Sequence, residues 1–600
     1  MAKLPKEVTM VLDRFTDAES ARKPLEDVWL ECYKLYRMYR EELPEEDEGL
    51  SNIFVPKILA DIESITPRIV LSLFARRPYV VIKPREQGDV ERAKLVSKLI
   101  QAQFDKQNMF MKAFEWIKQA LIYGSSPAQI GWRHEQRVGR TRVFVPRIVA
   151  GQDMTQLFGP VPKEQETVYT DWDDPWFEPI DVWDFYPDPD AKTLDDAGWV
   201  IRRQWVSREE MEAAGVYHNI AEAARTASES AGRRPAEERL QAVGRTAGRA
   251  GETRTRPIEL LHFWRGSKVT TIANRTVVVR DEQEDVYYHG RLPFVHIVDT
   301  LVPHEFHGIG VAEAEKGLQE ELNSIRNQRR DNVTMALQRM VVVMRNVGIK
   351  GEQLRWRPNG VIWIDDTVDP RMAIQVLDVP EVTRSAYEEE DRVHRDMEEV
   401  SAVSDFVRGA LAETQRTATE ISLAAQGGNA RVQLKIAVMA MGLKEVARHF
   451  LDLNRQFLTE ERVVRVIGER GRDEWITVHP GDLQFPYDDL IPAAANVEGW
   501  ANRLQEREDL LRLIQIAGRA PVFLQMLNWR KIMERVLQTF DFAEVEDFLV
   551  PEDQASQLQE QLSRMLLNNV GMATGNAANS IMQEMMAGGN QAQAQPGVGL

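Results

Sequence analysis

His304-Glu305-Phe306-His307 places two imidazoles and a carboxylate within four residues, a composition that could hold zinc. The spacing does not suit it. Zinc-protease helices carry histidines at i and i+4, so that both reach one metal from one face. Here the separation is three, and Pro303 and Gly308 make the stretch a loop. Gly308-Ile309-Gly310 follows and could open a phosphate-binding turn. It lacks the third glycine of the dinucleotide fingerprint, and no clear βαβ pattern precedes it. No Gly-x-x-x-x-Gly-Lys-Ser/Thr occurs in the chain. The glycines more simply start a helix. Asp184, Asp188, Asp190, Asp195 and Asp196 cluster without EF-hand spacing or its central glycine. The prolines among them mark a turn between strands. No Gly-x-Ser-x-Gly elbow is present, and Cys32, the single cysteine, lies in an apolar helix stripe. The expectation is therefore no catalytic residue, no metal ligand, no cofactor and no enzyme activity.

Length and composition bound the fold that must carry these residues. Six hundred residues exceed one ordinary core, so two to four structural units are expected. Hydrophobic residues make up 43% and charged residues 28%, a globular balance. The net charge of −18 argues against tight binding of nucleic acid, where Lys and Arg neutralise phosphates. It leaves room for a protein past which nucleic acid slides. One cysteine permits no intramolecular disulfide, and a reducing cytoplasm is the expected site of synthesis. The N-terminus lacks an apolar signal region, and no run of about 18 apolar residues predicts a membrane span.

Hydrophobic periodicity divides the chain into an α+β succession. Residues 1–125 read as helical. Thr16 to Glu19 fits a capping box, and Leu25, Val28, Trp29, Cys32, Leu35, Tyr36 and Tyr39 form one stripe. Pro24 suggests a first turn or a kink, and Pro56 and Pro67 suggest helix breaks. An acidic loop spans 41–48, a strand Tyr79–Lys83, and helices about 88–107 and 109–123. Residues 126–307 are β-rich, in segments such as AQIGWRHE, TRVFVPRIV, GWVIRRQWV and IELLHFWRG. Within them, 219–254 is rich in Ala, Arg, Gly, Glu and Ser, and is expected to be an exposed helix or mobile insertion. A polar helix follows at 308–340, roughly 50 Å long at about 1.5 Å per residue. Then come a small β unit at 341–383 and a charged helix at 384–403. The loop VRGALAETQR leads into a helix at 417–459, which Thr417 or Thr419 could cap. Strands at 460–497 precede helices at 498–587 and a low-complexity tail at 588–600.

The informative feature is the pair of polar helices joined by a β tip. Val311, Leu318, Leu322, Ile325, Val333 and Leu337 make only a narrow stripe, and Glu, Lys, Arg and Asp fill most of the remainder. Such helices need neighbours that they touch by a seam and by charges. With this arrangement the chain resembles the portal proteins of tailed bacteriophages. The resemblance rests on the order of LEDVWLECYKLYRMY, NIFVPKILADIESITPRIVLSLFARRPYVVIKP, LIYGSSPAQIGW, DPWFEPIDVWDFYPDPDAKTLDDAGWVIRR, HEFHGIGVAEAEKGLQEELNSIRNQRRDNV and GALAETQRTATEISL along one chain.

The resemblance implies a ring, usually a homododecamer, at a unique capsid vertex of the virion, assembled in the host cytoplasm. Residues 1–307 would form a wing, closed by strands in 460–497. Helices 308–340 and 384–403 would form the stem, with Leu318, Leu322, Ile325, Arg326 and Arg330 in subunit contacts. The clip would be 341–383, with Arg355, Trp356 and Arg357 as partner-binding residues. Residues 404–416 would be a tunnel loop in the DNA channel, carrying Arg408, Gly409, Glu413 and Arg416. The crown would be the helices at 498–587. Partners implied are the terminase large subunit, the major capsid or scaffolding protein, a head-completion or tail adaptor protein, and double-stranded DNA passing through the bore, with no membrane. The alternative is another virion structural protein, such as a scaffold or tail adaptor.

Overall fold

The computed structural model describes residues 5–492 and Leu510, except 46–48, 76, 147, 150–151, 154–160, 227–234, 246–256, 284–285, 338–340, 344–373, 378–379, 381–383, 402–417 and 468–472. The chain divides into two compact units, Met1–Val497 and Glu498–Leu600. All helices and strands named below lie in the first. The expected crown and tail lie outside the described residues, Leu510 apart.

Helix α1 (Lys6–Tyr36) runs unbroken through Pro24. Thr16 does not cap it, because its hydroxyl donates to the Leu12 carbonyl inside the helix, 2.8 Å away. Helix α2 (Lys57–Leu73) likewise continues through Pro67. An interior proline costs a helix about 3 kcal/mol. Here Trp29, Cys32 and Leu35, and Ile58, Ile62, Ile65, Ile69 and Val70, are buried on the two helices and outweigh it. Helices α3 (Val90–Lys106) and α4 (Met109–Tyr123) complete the helical layer. Strand β1 (Val80–Pro84) pairs antiparallel with a strand some four hundred residues later, Tyr487–Pro492. That pairing ties the two ends of the unit together.

Strands β2 (Ser125–Val145) and β3 (Val161–Pro179) form one long antiparallel ribbon. The two β segments read between 127 and 149 thus merge into a single strand as far as Val145. Strands β4 (Phe185–Pro187), β5 (Val200–Val206), β6 (Ile258–Arg265), β7 (Lys268–Ala273) and β8 (Val277–Gln283) make a five-stranded sheet in the order β8-β7-β6-β5-β4. Strand β9 (Phe294–Val298) joins the base of the ribbon. A core of Trp29, Phe104, Trp116, Phe177 and Phe450 binds helices and ribbon. A second cluster packs Val8, Val11 and Phe15 of α1 on Tyr186, Ile201 and Phe263 of the sheet.

The insertion at 219–254 is less bare than its composition suggests. Ile220–Thr226 and Pro235–Ala242 are helical, and Ala223 is fully buried. Asn274 donates to the Ala223 carbonyl at 2.7 Å. Arg239 grips Asp181 through two hydrogen bonds, of 2.9 and 2.5 Å, and lies 4.2 Å over the Trp183 ring. Apolar contacts of Ile220, Ala223 and Ala224 and a few polar anchors together hold the described part of the segment.

Gly308 and Gly310 owe their identity to a backbone crossing. Gly124 ends α4 in the left-handed region, at φ +78°. A Cβ on Gly310 would lie 2.7 Å from the Gly124 nitrogen and the Ile122 oxygen, and one on Gly308 would lie 2.5 Å from the Thr300 oxygen. Thr300 and Ile309 exchange two hydrogen bonds across the same crossing, of 3.1 and 3.0 Å. The glycines therefore seat the start of the next helix directly on the end of α4. Gly310→Ala should lower unfolding stability by about 1–3 kcal/mol, because backbone cannot yield as a side chain would. Chemical denaturation of the variant measures this, and an unchanged midpoint would show that the crossing relaxes freely.

Candidate functional site

The paired helices are α5 (Val311–Leu337) and α6 (Arg384–Ser401). Helix α7 (Ala418–Phe457) follows and packs into the main core. The first helix starts at Val311 rather than 308, and its described residues, to Leu337, span about 40 Å. Thr419 lies within α7, and Thr417 lies outside the described residues.

Helix α5 buries polar residues at a spacing of four. Glu315, Gln319, Asn323 and Asn327 are all buried, and Asp331 continues the row. Their partner is a backbone. The Ser51 N–H donates to Asp331 Oδ1 at 2.7 Å, the Ile53 N–H to Asn327 Oδ1 at 2.7 Å, and the Val55 N–H to Asn323 Oδ1 at 2.8 Å. Amide groups return the bonds: Gln319 Nε2 donates to the Val55 carbonyl at 2.7 Å and Asn327 Nδ2 to the Ile53 carbonyl at 3.1 Å. The match is metric. Four helical residues advance about 6 Å, and two strand-like residues about 6.6 Å. Gln319 Oε1 then accepts from the Ile58 N–H, at 3.2 Å, in the first turn of α2. Pro56 precedes that turn and supplies no side-chain cap, so a neighbouring helix caps it instead.

At the foot of the row, charges converge from several elements. Glu315 of α5 and Asp61 of α2 are both fully buried. The Lys57 ammonium lies 3.7 Å from Asp61 and 3.6 Å from Glu398 of α6. Burial and then mutual repulsion push Glu315 up to about 8. Burial and then Glu398 push Asp61 up to about 7. The pair thus retains protons at pH values where exposed carboxyls are ionised. Lys435 of α7 faces this cluster and is bound by Asp299 through two 2.5 Å contacts.

Higher up, Glu390 of α6 is buried and gripped by Arg326 and Arg329 of α5. Arg329 also lies 4.0 Å over the Tyr387 ring. Val393 and Met397 complete the inner face of α6. Two short strands, Val341–Val343 and Ile374–Val376, pair antiparallel beyond the helices. The far end is apolar and open: Met335, Leu337, Val342, Val376, Leu377 and Tyr387 are all exposed.

The five residues read as subunit contacts separate on this frame. Leu322 is wholly buried inside its own chain and cannot meet a neighbour. Leu318 and Ile325 are partly buried against the same core, and Arg326 is engaged by Glu390. Arg330 alone is exposed. The stripe therefore docks the helix on the main core of its own chain. Arg355, Trp356, Arg357, Arg408, Gly409, Glu413 and Arg416 lie outside the described residues. Sequence reading missed Gln319, Asn323, Asn327 and Asp331; their repeat of four beside the apolar stripe was the available signal.

The histidines of the loop have structural work. Ser125 Oγ lies 2.5 Å from His296 Nε2 and 2.8 Å from His307 Nδ1. Burial lowers His296 to about 3 and holds His307 well below its usual range, so both imidazoles are neutral. Ser125 is fully buried, which closes it to substrate. His304, by contrast, is exposed and points away at φ +70°. Among the described residues no cluster of His, Cys, Asp and Glu could hold a metal ion, and no helix is long and apolar enough to cross a membrane.

The chain matches the model of the family described as Phage SU10 portal protein over residues 15–570. It belongs to that family. The phage portal family is structural rather than enzymatic, and it implies a virion component that self-assembles in association with the capsid. A search of curated proteins found no match.

Two measurements test the portal helix pair. Asn323→Leu leaves the Val55 N–H without its acceptor and should cost about 1–3 kcal/mol of stability by denaturant titration. Glu315→Gln makes the protonated form permanent. The folded carboxyl pair binds protons that unfolded carboxyls, near pH 4, have lost. Its contribution is complete below that value and is lost as pH rises through about 7 to 8. His296 and His307 act oppositely, contributing above about pH 6.5 and less as pH falls. Thermal melts should therefore show Glu315→Gln above wild type on the order of 2 °C at pH 8.5, with the gap closing near pH 6. A constant gap would mean that the pair does not carry the proton.

Proposed function

We propose that copies of this chain close into a ring, a homododecamer, at one capsid vertex, through which double-stranded DNA is packaged and later ejected. The observation that carries this reading is the portal family match across residues 15–570. The helix pair forms the stem, and residues 341–383 the clip that it presents. The exposed apolar residues at its far end support contact with other copies or partners. Arg355, Trp356 and Arg357 anchor the terminase large subunit during packaging, and a head-completion or tail adaptor protein afterwards. Trp and Arg suit that role because they bury large surfaces at interfaces. The wing faces the major capsid or scaffolding protein. Assembly takes place in the host cytoplasm.

The charge balance suits a conduit. Twelve copies, each at −18, present mostly like charge to DNA, so that phosphate contacts do not stall it. No phosphate-binding motif is present, so the energy for packaging comes from the separate terminase motor. Arg408 and Arg416, with Glu413 between them, make the 404–416 loop a slightly basic collar. Gly409 gives that loop backbone freedom.

Electron microscopy of the purified chain should show closed rings with a central hole, and a stable monomer would overturn the reading. Arg408→Glu with Arg416→Glu should then leave ring yield unchanged and reduce packaged DNA several-fold. Normal packaging by that variant would remove the collar.

A further inference from the structure

The β2–β3 ribbon leaves the body of the protein after its first residues. Its base is well packed: Trp132 stacks on Phe457 at 5.0 Å, and Asp174 is held by Lys106 and Arg462 at 2.6 and 2.8 Å. Strand β9 covers the outer edge of β2 only from Ser125 to Gln129. Beyond a bulge at Glu135–Gln136, ten residue pairs continue from Gln136↔Thr170 to Val145↔Val161. At about 3.3 Å per residue this is an arm of roughly 30 Å.

The arm has no core of its own. Val138 and Val168 stand directly opposite each other and are 60% and 61% exposed. Val143 and Tyr169 are exposed too, Tyr169 lying against Gly139. Among the described residues neither edge has a neighbouring strand. A two-stranded ribbon with open edges and outward apolar residues is marginal alone and invites a partner.

Its charges identify that partner. The β2 limb carries Arg137, Arg140 and Arg142 with no acidic residue from Gln136 to Val145. The β3 limb carries Glu164, Glu166 and Asp171, with Lys163 as its only cation from Val161 to Asp171. Cross-strand contacts of 2.9, 3.1 and 3.9 Å join them, but these side chains remain largely exposed. The arm is thus a positive stripe beside a negative one. Such a surface complements a copy of itself when copies repeat head to tail, and it opposes a two-fold contact that would set arginine against arginine.

We infer that the arms of neighbouring copies lie side by side, the basic limb of one against the acidic limb of the next, and that this contact closes the ring. The inference rests on the ring reading above, and the test separates the two. One variant combines Arg137→Glu, Arg140→Glu and Arg142→Glu, which makes both limbs acidic. The other combines Glu164→Arg, Glu166→Arg and Asp171→Arg, which makes both basic. Each is purified and imaged alone, and both are imaged after co-expression, with wild type beside them. Wild type should form rings, each variant alone should form at least about tenfold fewer, and co-expression should restore them with both variants in each ring. An intrachain role is not repaired by mixing, since each arm then keeps its own like charges. Restoration also shows that both variants fold. Rings from either variant alone at wild-type yield, or no restoration on co-expression, would overturn the arm contact while the ring stands. Absence of rings from wild type would overturn both.

Discussion

A backbone without a strand partner is the constraint on which the helix pair depends. The segment Ser51–Val55 lies half-buried before α2, and its shielded N–H and C=O groups need partners. Side chains from one helix provide them, because a repeat of four along the helix nearly equals a repeat of two along the segment. The same row caps α2 through Gln319. Position and direction of α5 follow from this ladder together with the glycine crossing at Gly124 and Gly310. One fixes the helix along its length, and the other fixes its starting point.

With α5 held, α6 is positioned through Glu390, Val393 and Met397, and the charged cluster of Lys57, Asp61, Glu315 and Glu398 joins α2, α5 and α6. Burying several carboxylates around one ammonium is unfavourable unless protons remain bound. Helix polarity has two physical sources in consequence. Part of it meets solvent, and part is an internal hydrogen-bonding surface.

The described unit is therefore complete at its centre and incomplete at two extremities. Aromatic and aliphatic packing closes the centre. The end of the helix pair and the β2–β3 arm expose apolar residues that no other described residue covers. The chain belongs to a portal family, and that family implies capsid-associated self-assembly.

The sequence by itself determined the succession of elements wherever one periodicity ran long enough. The helices at 90–106, 109–123, 311–337 and 384–401 and the strand at 80–84 fall within a few residues of their reading. Spacing alone also argued against the zinc and nucleotide readings of the 304–310 loop. Only tertiary structure decided the roles of individual residues. Pro24 and Pro67 stay within helices because burial on both sides outweighs a lost hydrogen bond. Thr16, though exposed, bonds back to the Leu12 carbonyl because α1 begins ten residues before it. Leu322 serves its own core, and Asn323 and Asn327 serve a backbone more than 260 residues away in the chain. Local pattern reports which face of an element is apolar or polar. It does not report what packs on that face, since the partner comes from remote sequence and is chosen by close approach and by the need to satisfy buried polar groups.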